Sequence, residues 1–175
     1  VQNGLIVTDS SEESISGVAN HAALLQMPAV STSSNRIYVN FYALLGVADV
    51  DAIGLNVTLS IRVKAKEGST DLLRIVNIVE NVFDPVTGTF VQGGAANGLT
   101  ATQEGSFWRV QFNRTLVPAE WVSLEVVDAT NTVEFGAGTG GVIVDDLQLE
   151  NVTNQSIKTM GDFIETGATA VTKWF

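Results

Sequence analysis

The chain has 175 residues, 45% hydrophobic and only 16% charged, which suits one well-buried domain and leaves too little length for two with linkers. Nine Lys and Arg against nineteen Asp and Glu give a formal charge of -10, which repels phosphate backbones and anionic lipid headgroups. Nucleic acid and membrane surfaces are therefore not expected as partners. The absence of Cys excludes disulfides, thiolate metal sites and thiol nucleophiles.

The first thirty residues predict short elements separated by polar loops. An aliphatic run within residues 4–8 predicts a first strand, followed by an acidic loop over 9–14. The apolar run 22–25 is too short for its periodicity to separate a helical turn from a buried strand, and Pro28 ends it in either case.

The segment 37–44 alternates, with apolar residues at the odd positions and both Tyr38 and Tyr42 at even ones. This pattern predicts a strand with an aliphatic face and a face that carries two tyrosines. Tyrosine rings on an exposed sheet suit sugars, because apolar C–H faces stack on the ring while hydroxyls bond polar neighbours. Tyr38 and Tyr42 are therefore candidate ligand-binding residues. The alternative is that they cover another element or an interface.

The clearest strand pattern runs from Ile53 to Lys66, with apolar residues at every odd position and mostly polar residues between them. It predicts a long antiparallel strand with one face in the core and one in water. Arg62, Lys64 and Lys66 would then form an outward basic stripe. The stripe either docks an acidic partner surface or prevents pairing at a sheet edge.

The middle of the chain predicts a strand, a turn, a short return strand and a loop. Residues 72–83 are apolar on both parities, as expected of a strand that is buried on both faces or covered by loops. The Asp-Pro-Val-Thr-Gly run at 84–88 predicts a turn, followed by a short return strand at 89–91. The small residues of 93–98 predict a mobile loop, and no phosphate-binding motif accompanies them.

Two further alternating strands are predicted at 106–114 and 120–128. Trp108 shares the parity of the core residues in the first strand. Trp121 has the parity opposite to the aliphatic residues of the second strand, so it is expected to point outward. Trp121 is therefore the better candidate ligand platform, with coverage by a loop or a neighbouring subunit as the alternative.

The last predicted strand, 140–150, changes phase at two acids, Asp145 and Asp146. Apolar residues occupy even positions before the acids and odd positions after them. A bulge at the acids is expected to bring both apolar pairs to one core and to direct a carboxylate along a sheet edge. The apolar residues concerned are Val142, Val144, Leu147 and Leu149.

This strand resembles the last strand of carbohydrate-binding-module (galactose-binding-like) jelly rolls, in which a hydrophobic pair, two Asp and alternating aliphatics close the sandwich. With its polar continuation it also resembles the end of jelly-roll domains on bacteriophage virion proteins. The resemblance implies a structural calcium near Asp145 or Asp146. In that family a partner carboxylate comes from a first-strand Asn-Gly-x-Phe-Glu run. This chain has no acid at the matching place in Asn3-Gly4-Leu5-Ile6-Val7.

No catalytic residue is predicted. His21 is the only histidine and lies beside an apolar run, with no G-x-S-x-G motif nearby. On a regular strand, Asp145 and Asp146 would project to opposite faces, which is the wrong arrangement for two carboxylates that flank a glycosidic bond.

Beyond Glu150 the chain becomes polar, regains apolar residues and ends in two aromatics. Such a terminus is expected to fold back on the sandwich or to anchor in a neighbour. We therefore predict an arm over 151–175. Its candidate partner-binding residues are Phe163, Ile164, Trp174 and Phe175.

The sequence as a whole predicts an all-β protein, a two-sheet antiparallel jelly-roll sandwich over 1–150 with a C-terminal extension. The leading functional hypothesis is a non-enzymatic bacteriophage virion protein of the capsid decoration (cement) type, a homo-oligomer that binds neighbouring capsid subunits. The alternative is a secreted carbohydrate-binding module or a tail-associated glycan-binding domain, with Tyr38, Tyr42 and Trp121 on its binding face. No cofactor is expected other than the calcium.

Overall fold

The computed structural model describes residues 2–3, 6–9, 22–26, 36–41, 45–76, 79–118, 121–131 and 140–155. In chain order the strands are β1 (Gln2–Asn3), β2 (Ile6–Asp9), β3 (Ala23–Gln26), β4 (Arg36–Asn40), β5 (Asn56–Ala65), β6 (Leu72–Val76), β7 (Glu80–Asp84), β8 (Thr89–Gln92), β9 (Leu99–Glu104), β10 (Phe107–Thr115), β11 (Trp121–Val127) and β12 (Val142–Asn151). A short helix, α1 (Asp49–Ala52), precedes β5, and a 3-10 turn (Gly94–Asn97) precedes β9.

Within these residues the strands form two six-stranded sheets. Sheet A has the order β1-β4-β11-β6-β7-β8, and sheet B has the order β2-β3-β12-β5-β10-β9. The strand pairings are antiparallel, and the chain crosses repeatedly from one sheet to the other. The predicted all-β, two-sheet antiparallel sandwich is confirmed.

The core lies between the two sheets and is built from the alternating positions that the sequence predicts. Trp108 packs against it, edge-to-face with Phe83 at 6.5 Å between ring centroids. The other main contributors are Val57, Leu59, Ile61, Val63, Leu73, Ile75, Val110, Phe112, Val122, Leu124 and Val126.

Strand β5 differs from its prediction in two ways. It begins at Asn56 because α1 and a left-handed Gly54 turn the chain before it, which leaves Ile53 exposed. Its outer face is not in water, since Arg62 is only 6% exposed. β5 lies between β12 and β10 in the middle of sheet B, so the interpretation of Arg62 as a guard against edge pairing is wrong.

The predicted single strand over 72–83 is wrong, because the segment is a pair of antiparallel strands, β6 and β7. The reversal between them contains neither Gly nor Pro, so the sequence carries no strong turn signal there. Burial on both faces is confirmed: Leu73 lies in the main core, while Leu72, Val82 and Val127 form a separate cluster on the outer face of sheet A.

The turn at 84–88 is confirmed, with the Asp84 carboxylate accepting the backbone N–H of Val86 at 2.8 Å. The predicted mobile loop at 93–98 contains the 3-10 turn instead, which is fixed because Gly94 N donates to the buried Asn81 Oδ1 at 3.0 Å. Strand β9 was not predicted. The open choice at 22–25 is decided in favour of strand β3.

The C-terminal end of β12 remains on the sandwich. Val152 is buried, and its N–H donates to the Asn56 carbonyl at 2.8 Å. The predicted arm residues Phe163, Ile164, Trp174 and Phe175 lie outside the described residues, and the division at 150/151 stays a prediction. Among the described residues no helix is long and apolar enough to cross a membrane.

Candidate functional site

The outer face of sheet A carries the exposed tryptophan. Strand β11 pairs with β4 on one side and β6 on the other, and its Val122, Leu124 and Val126 fill the core. Trp121 has the opposite parity and is 41% exposed, as the alternation predicts. A large apolar ring therefore faces solvent from a central strand.

Strand pairing places Tyr38 beside this tryptophan. Tyr38 lies opposite Ser123 in the register of β4 and β11, one outward position from Trp121. The two rings meet edge-to-face, with 5.1 Å between centroids and 72° between planes. We call Tyr38 and Trp121 the aromatic platform. Tyr42, the third predicted ligand-binding residue, lies outside the described residues.

A buried ion cluster adjoins the platform on the same face. Glu125 is only 1% exposed, and its two carboxylate oxygens face Arg36 Nε at 2.7 Å and Arg74 Nη1 at 3.1 Å. Two guanidinium groups offset the desolvation of this carboxylate. Arg36 also lies over the Tyr38 ring, 5.9 Å from its centroid. The platform is therefore in contact, through Arg36, with the ion cluster of Arg36, Glu125 and Arg74.

Asn131 braces the far end of this cluster. It adopts a left-handed conformation (φ 62°), and its side chain and carbonyl oxygens accept from Arg74 Nε and Nη2 at 3.2 and 2.9 Å. Its amide donates to Glu80 Oε1 at 2.9 Å and Gln92 Oε1 at 3.1 Å. The segment after β11 is therefore fastened across three strands of sheet A.

The sequence alone does not predict the roles of Arg36, Arg74 and Asn131. Arg36 shares the outward parity of Tyr38, and Glu125 shares that of Trp121, so each residue could be placed on the correct face. Their meeting could not be predicted, because it depends on which strands are neighbours.

The predicted bulge at the two acids is confirmed. The register of β12 against β5 shifts between Asp145 and Gln148, and Asp146 has a left-handed φ of 48°. Only half of the expected consequence follows, because Leu149 packs against the core while Leu147 remains 40% exposed.

The two carboxylates meet one buried cation. Arg62 Nη1 donates to Asp145 Oδ2 at 3.2 Å and to Asp146 Oδ2 at 3.0 Å. The expectation of opposite faces is therefore wrong, because the bulge turns both acids to the same guanidinium. Neither carboxylate points along a sheet edge as expected, because both side chains are buried, 2% and 5% exposed, against Arg62 of the neighbouring strand β5.

Neighbouring groups complete the enclosure of Arg62. Its guanidinium carbon lies 4.5 Å from the centroid of the Phe107 ring, and its Nε is 3.6 Å from Glu104 Oε2. Burial raises the pKa of the Asp145 carboxyl, the adjacent Asp146 raises it further, and Arg62 acts in the opposite direction.

The described donor set does not fit the calcium ion that the resemblance implies. A divalent cation on these oxygens would lie close to the Arg62 nitrogen that already contacts both of them. Within the part of the chain that the structure describes, no group of three or more His, Asp or Glu side chains is placed to hold a metal ion. Calcium at Asp145 and Asp146 stays a prediction from the resemblance alone.

Comparison with known proteins gives structural neighbours only. No protein-family model matches the chain, and no curated protein matches it significantly in sequence. It is similar to the CBM22-1 xylan-binding domain of Paenibacillus barcinonensis Xyn10C, with 12% identity and a TM-score of 0.45, over 86% of this chain and 83% of that one. It is also similar to a Paenibacillus sp. cycloisomaltooligosaccharide glucanotransferase complexed with cycloisomaltoheptaose, with 11% identity and a TM-score of 0.40, over 84% of this chain and 16% of that one. These likenesses assign no role to any residue here.

Proposed function

We propose that this protein is a non-catalytic glycan-binding domain whose ligand surface is the aromatic platform. The observation that carries the proposal is Trp121, 41% exposed on a strand that is paired on both sides. The core does not need this ring, because the opposite face of β11 already fills it. An indole held in water at such a position suits a ligand that stacks on it.

The surroundings of the platform match the chemistry of a sugar. The apolar C–H face of a pyranose would stack on Trp121, whose orientation Tyr38 fixes from the side. The partly exposed Arg36 and the exposed Asn40 provide polar groups on the same strand for hydroxyls. Because these residues project from paired strands, the surface is formed before the ligand arrives, which lowers the entropic cost of binding.

A neutral glycan fits better than an acidic one. The chain has a formal charge of -10, which repels a polyanion at long range. The two guanidinium groups beside the platform already share the carboxylate of Glu125. The ligand class we propose is therefore a neutral polysaccharide.

Affinity gel electrophoresis tests this proposal. The wild-type protein should be retarded by at least one gel in a panel that contains neutral polysaccharides. Trp121→Ala should weaken binding roughly thirtyfold, the equivalent of about 2 kcal/mol for loss of a central aromatic anchor. Leu147→Ala is the matched control, because Leu147 is 40% exposed on the other sheet, and it should migrate like the wild type.

Two results would count against the platform. One is a wild-type protein that no polysaccharide retards, and the other is a Trp121→Ala variant that keeps its full retardation while its circular dichroism is unchanged. Tyr38→Phe retains the edge-to-face ring contact and should bind within a few-fold of wild type.

The bacteriophage virion interpretation stays a prediction, as do the capsid partners, the homo-oligomer and the virion location that accompany it. Residues 156–175, which make up most of the predicted arm, lie outside the described residues. It predicts that deletion of 157–175 prevents incorporation into particles while the remaining protein stays soluble. Normal incorporation of the deleted protein would exclude the arm as a clamp.

A further inference from the structure

An exposed aliphatic surface lies at the end of the sandwich where α1 leads into β5. Val47, Val50 and Ile53 are 38%, 72% and 48% exposed, and they follow one another at a spacing of three residues along this short helix and its two flanks. Ala52, by contrast, is fully buried and fixes α1 to the core. We call these three residues the aliphatic patch.

The described C-terminal end leaves the sandwich beside this patch. Asn56, the first residue of β5, accepts from the Val152 N–H at 2.8 Å, and its own N–H donates to Thr153 Oγ1 at 2.8 Å. Asn56 follows Ile53 by three residues, so the two lie at most about 10 Å apart along the chain. Gln155 is tied back to Glu150 at 2.9 Å. Whatever follows residue 155 therefore starts close to the aliphatic patch.

The composition of segment 156–175 suits such a surface. Its net charge is zero, with two Lys balanced by one Asp and one Glu, whereas the whole chain carries -10. Its twenty residues could extend roughly 66–72 Å, far more than the separation requires. The large apolar side chains in it are Ile157, Met160, Phe163, Ile164, Trp174 and Phe175.

We infer that segment 156–175 binds the aliphatic patch of its own chain. Burial of aliphatic and aromatic side chains against Val47, Val50 and Ile53 provides the driving force. The attachment at Gln155 gives the segment a millimolar effective concentration at the patch, so its own chain outcompetes a second copy at ordinary protein concentrations. The basic Lys158 lies near the start of the segment, and the exposed Asp51 of α1 is a suitable partner for it.

Limited proteolysis of the full chain tests this inference without any glycan, so the result does not depend on the proposed function. Trypsin cleavage after Lys158 and Lys173 should be at least tenfold slower in the wild-type protein than in a synthetic peptide of residues 156–175. The double variant Val50→Asp, Ile53→Asp should remove that protection. Val86→Asp is the matched control, because Val86 is 58% exposed at the turn between β7 and β8, and it should leave the protection unchanged.

Val47→Asp provides a second variant on the same patch, and circular dichroism establishes that each variant keeps its sheets. Equal cleavage rates in the wild type, the patch variants and the peptide would overturn the inference. Protection that increases with protein concentration, together with a dimer in sedimentation, would assign the patch to a second copy and overturn the intramolecular docking.

Discussion

Arg62→Met should lower the free energy of unfolding at neutral pH by about 3–5 kcal/mol, the usual cost of removing one member of a buried ion cluster. The methionine has a suitable volume for the space under Phe107, so packing changes little. Asp145 and Asp146, however, lose the Arg62 Nη1 nitrogen, which contacts them at 3.2 and 3.0 Å. Two mutually repelling carboxylates would then share a poorly hydrated bulge.

The pH dependence of this loss follows from the pKa of Asp145. Because burial raises this pKa, the folded state binds a proton more tightly than the unfolded state, and stability falls as pH rises from about 3.9 through the raised value. Without Arg62 the pKa should rise further and the window should extend upward. Arg62→Met should therefore cost least at acid pH, where the carboxyls are protonated, and most at neutral pH.

Urea unfolding at a series of pH values measures this difference. The control is Arg62→Met combined with Asp145→Asn and Asp146→Asn, which removes both charges and should recover much of the lost stability at pH 7. A loss for Arg62→Met that is the same at pH 4 and pH 7 would show that packing, rather than charge, accounts for its effect.

At the site of Asp145, Asp146 and Arg62, the sequence predicts some features of the structure and not others. The change of parity around Asp145 and Asp146 was sufficient to predict the bulge, because parity is a local property of a strand. It could not predict that Arg62 fills the bulge, since that requires β5 to lie beside β12 although 83 residues separate Arg62 from Asp145. Because the neighbours of β5 could not be predicted, Arg62 was expected to lie on a solvent-exposed stripe.

For the candidate ligand surface too, the sequence predicts which way side chains point but not which of them meet. Parity predicted that Trp121 points outward and that Trp108 points into the core, and both orientations are confirmed. The pairing of β4 with β11 brings Tyr38 to Trp121 and Arg36 to Glu125. The alternation of residues within one strand cannot predict this pairing, because it does not say which strand lies next to which. The division of 72–83 into two strands was missed for another reason, because its reversal lacks the Gly and Pro that mark most tight turns.

The second large effect is expected at Gly88, which closes the turn between β7 and β8. Gly88 has a φ of 73°, and a Cβ there would overlap the indole ring of Trp108. Gly88→Ala should therefore lower the free energy of unfolding through two separate contributions. The left-handed conformation costs an alanine about 1–2 kcal/mol, and displacing the core indole adds about 1–3 kcal/mol.

Gly68→Ala separates these two contributions. Gly68 has nearly the same φ, 75°, but a Cβ there would meet nothing within 4 Å. It should show only the conformational cost, so Gly88→Ala should exceed it by about 1–3 kcal/mol in urea unfolding. In a Trp108→Leu background the ring is gone, and the two substitutions should then cost the same. A difference between them that survives in that background would place the cause in the turn itself, and the close approach of Gly88 to Trp108 would have no energetic consequence.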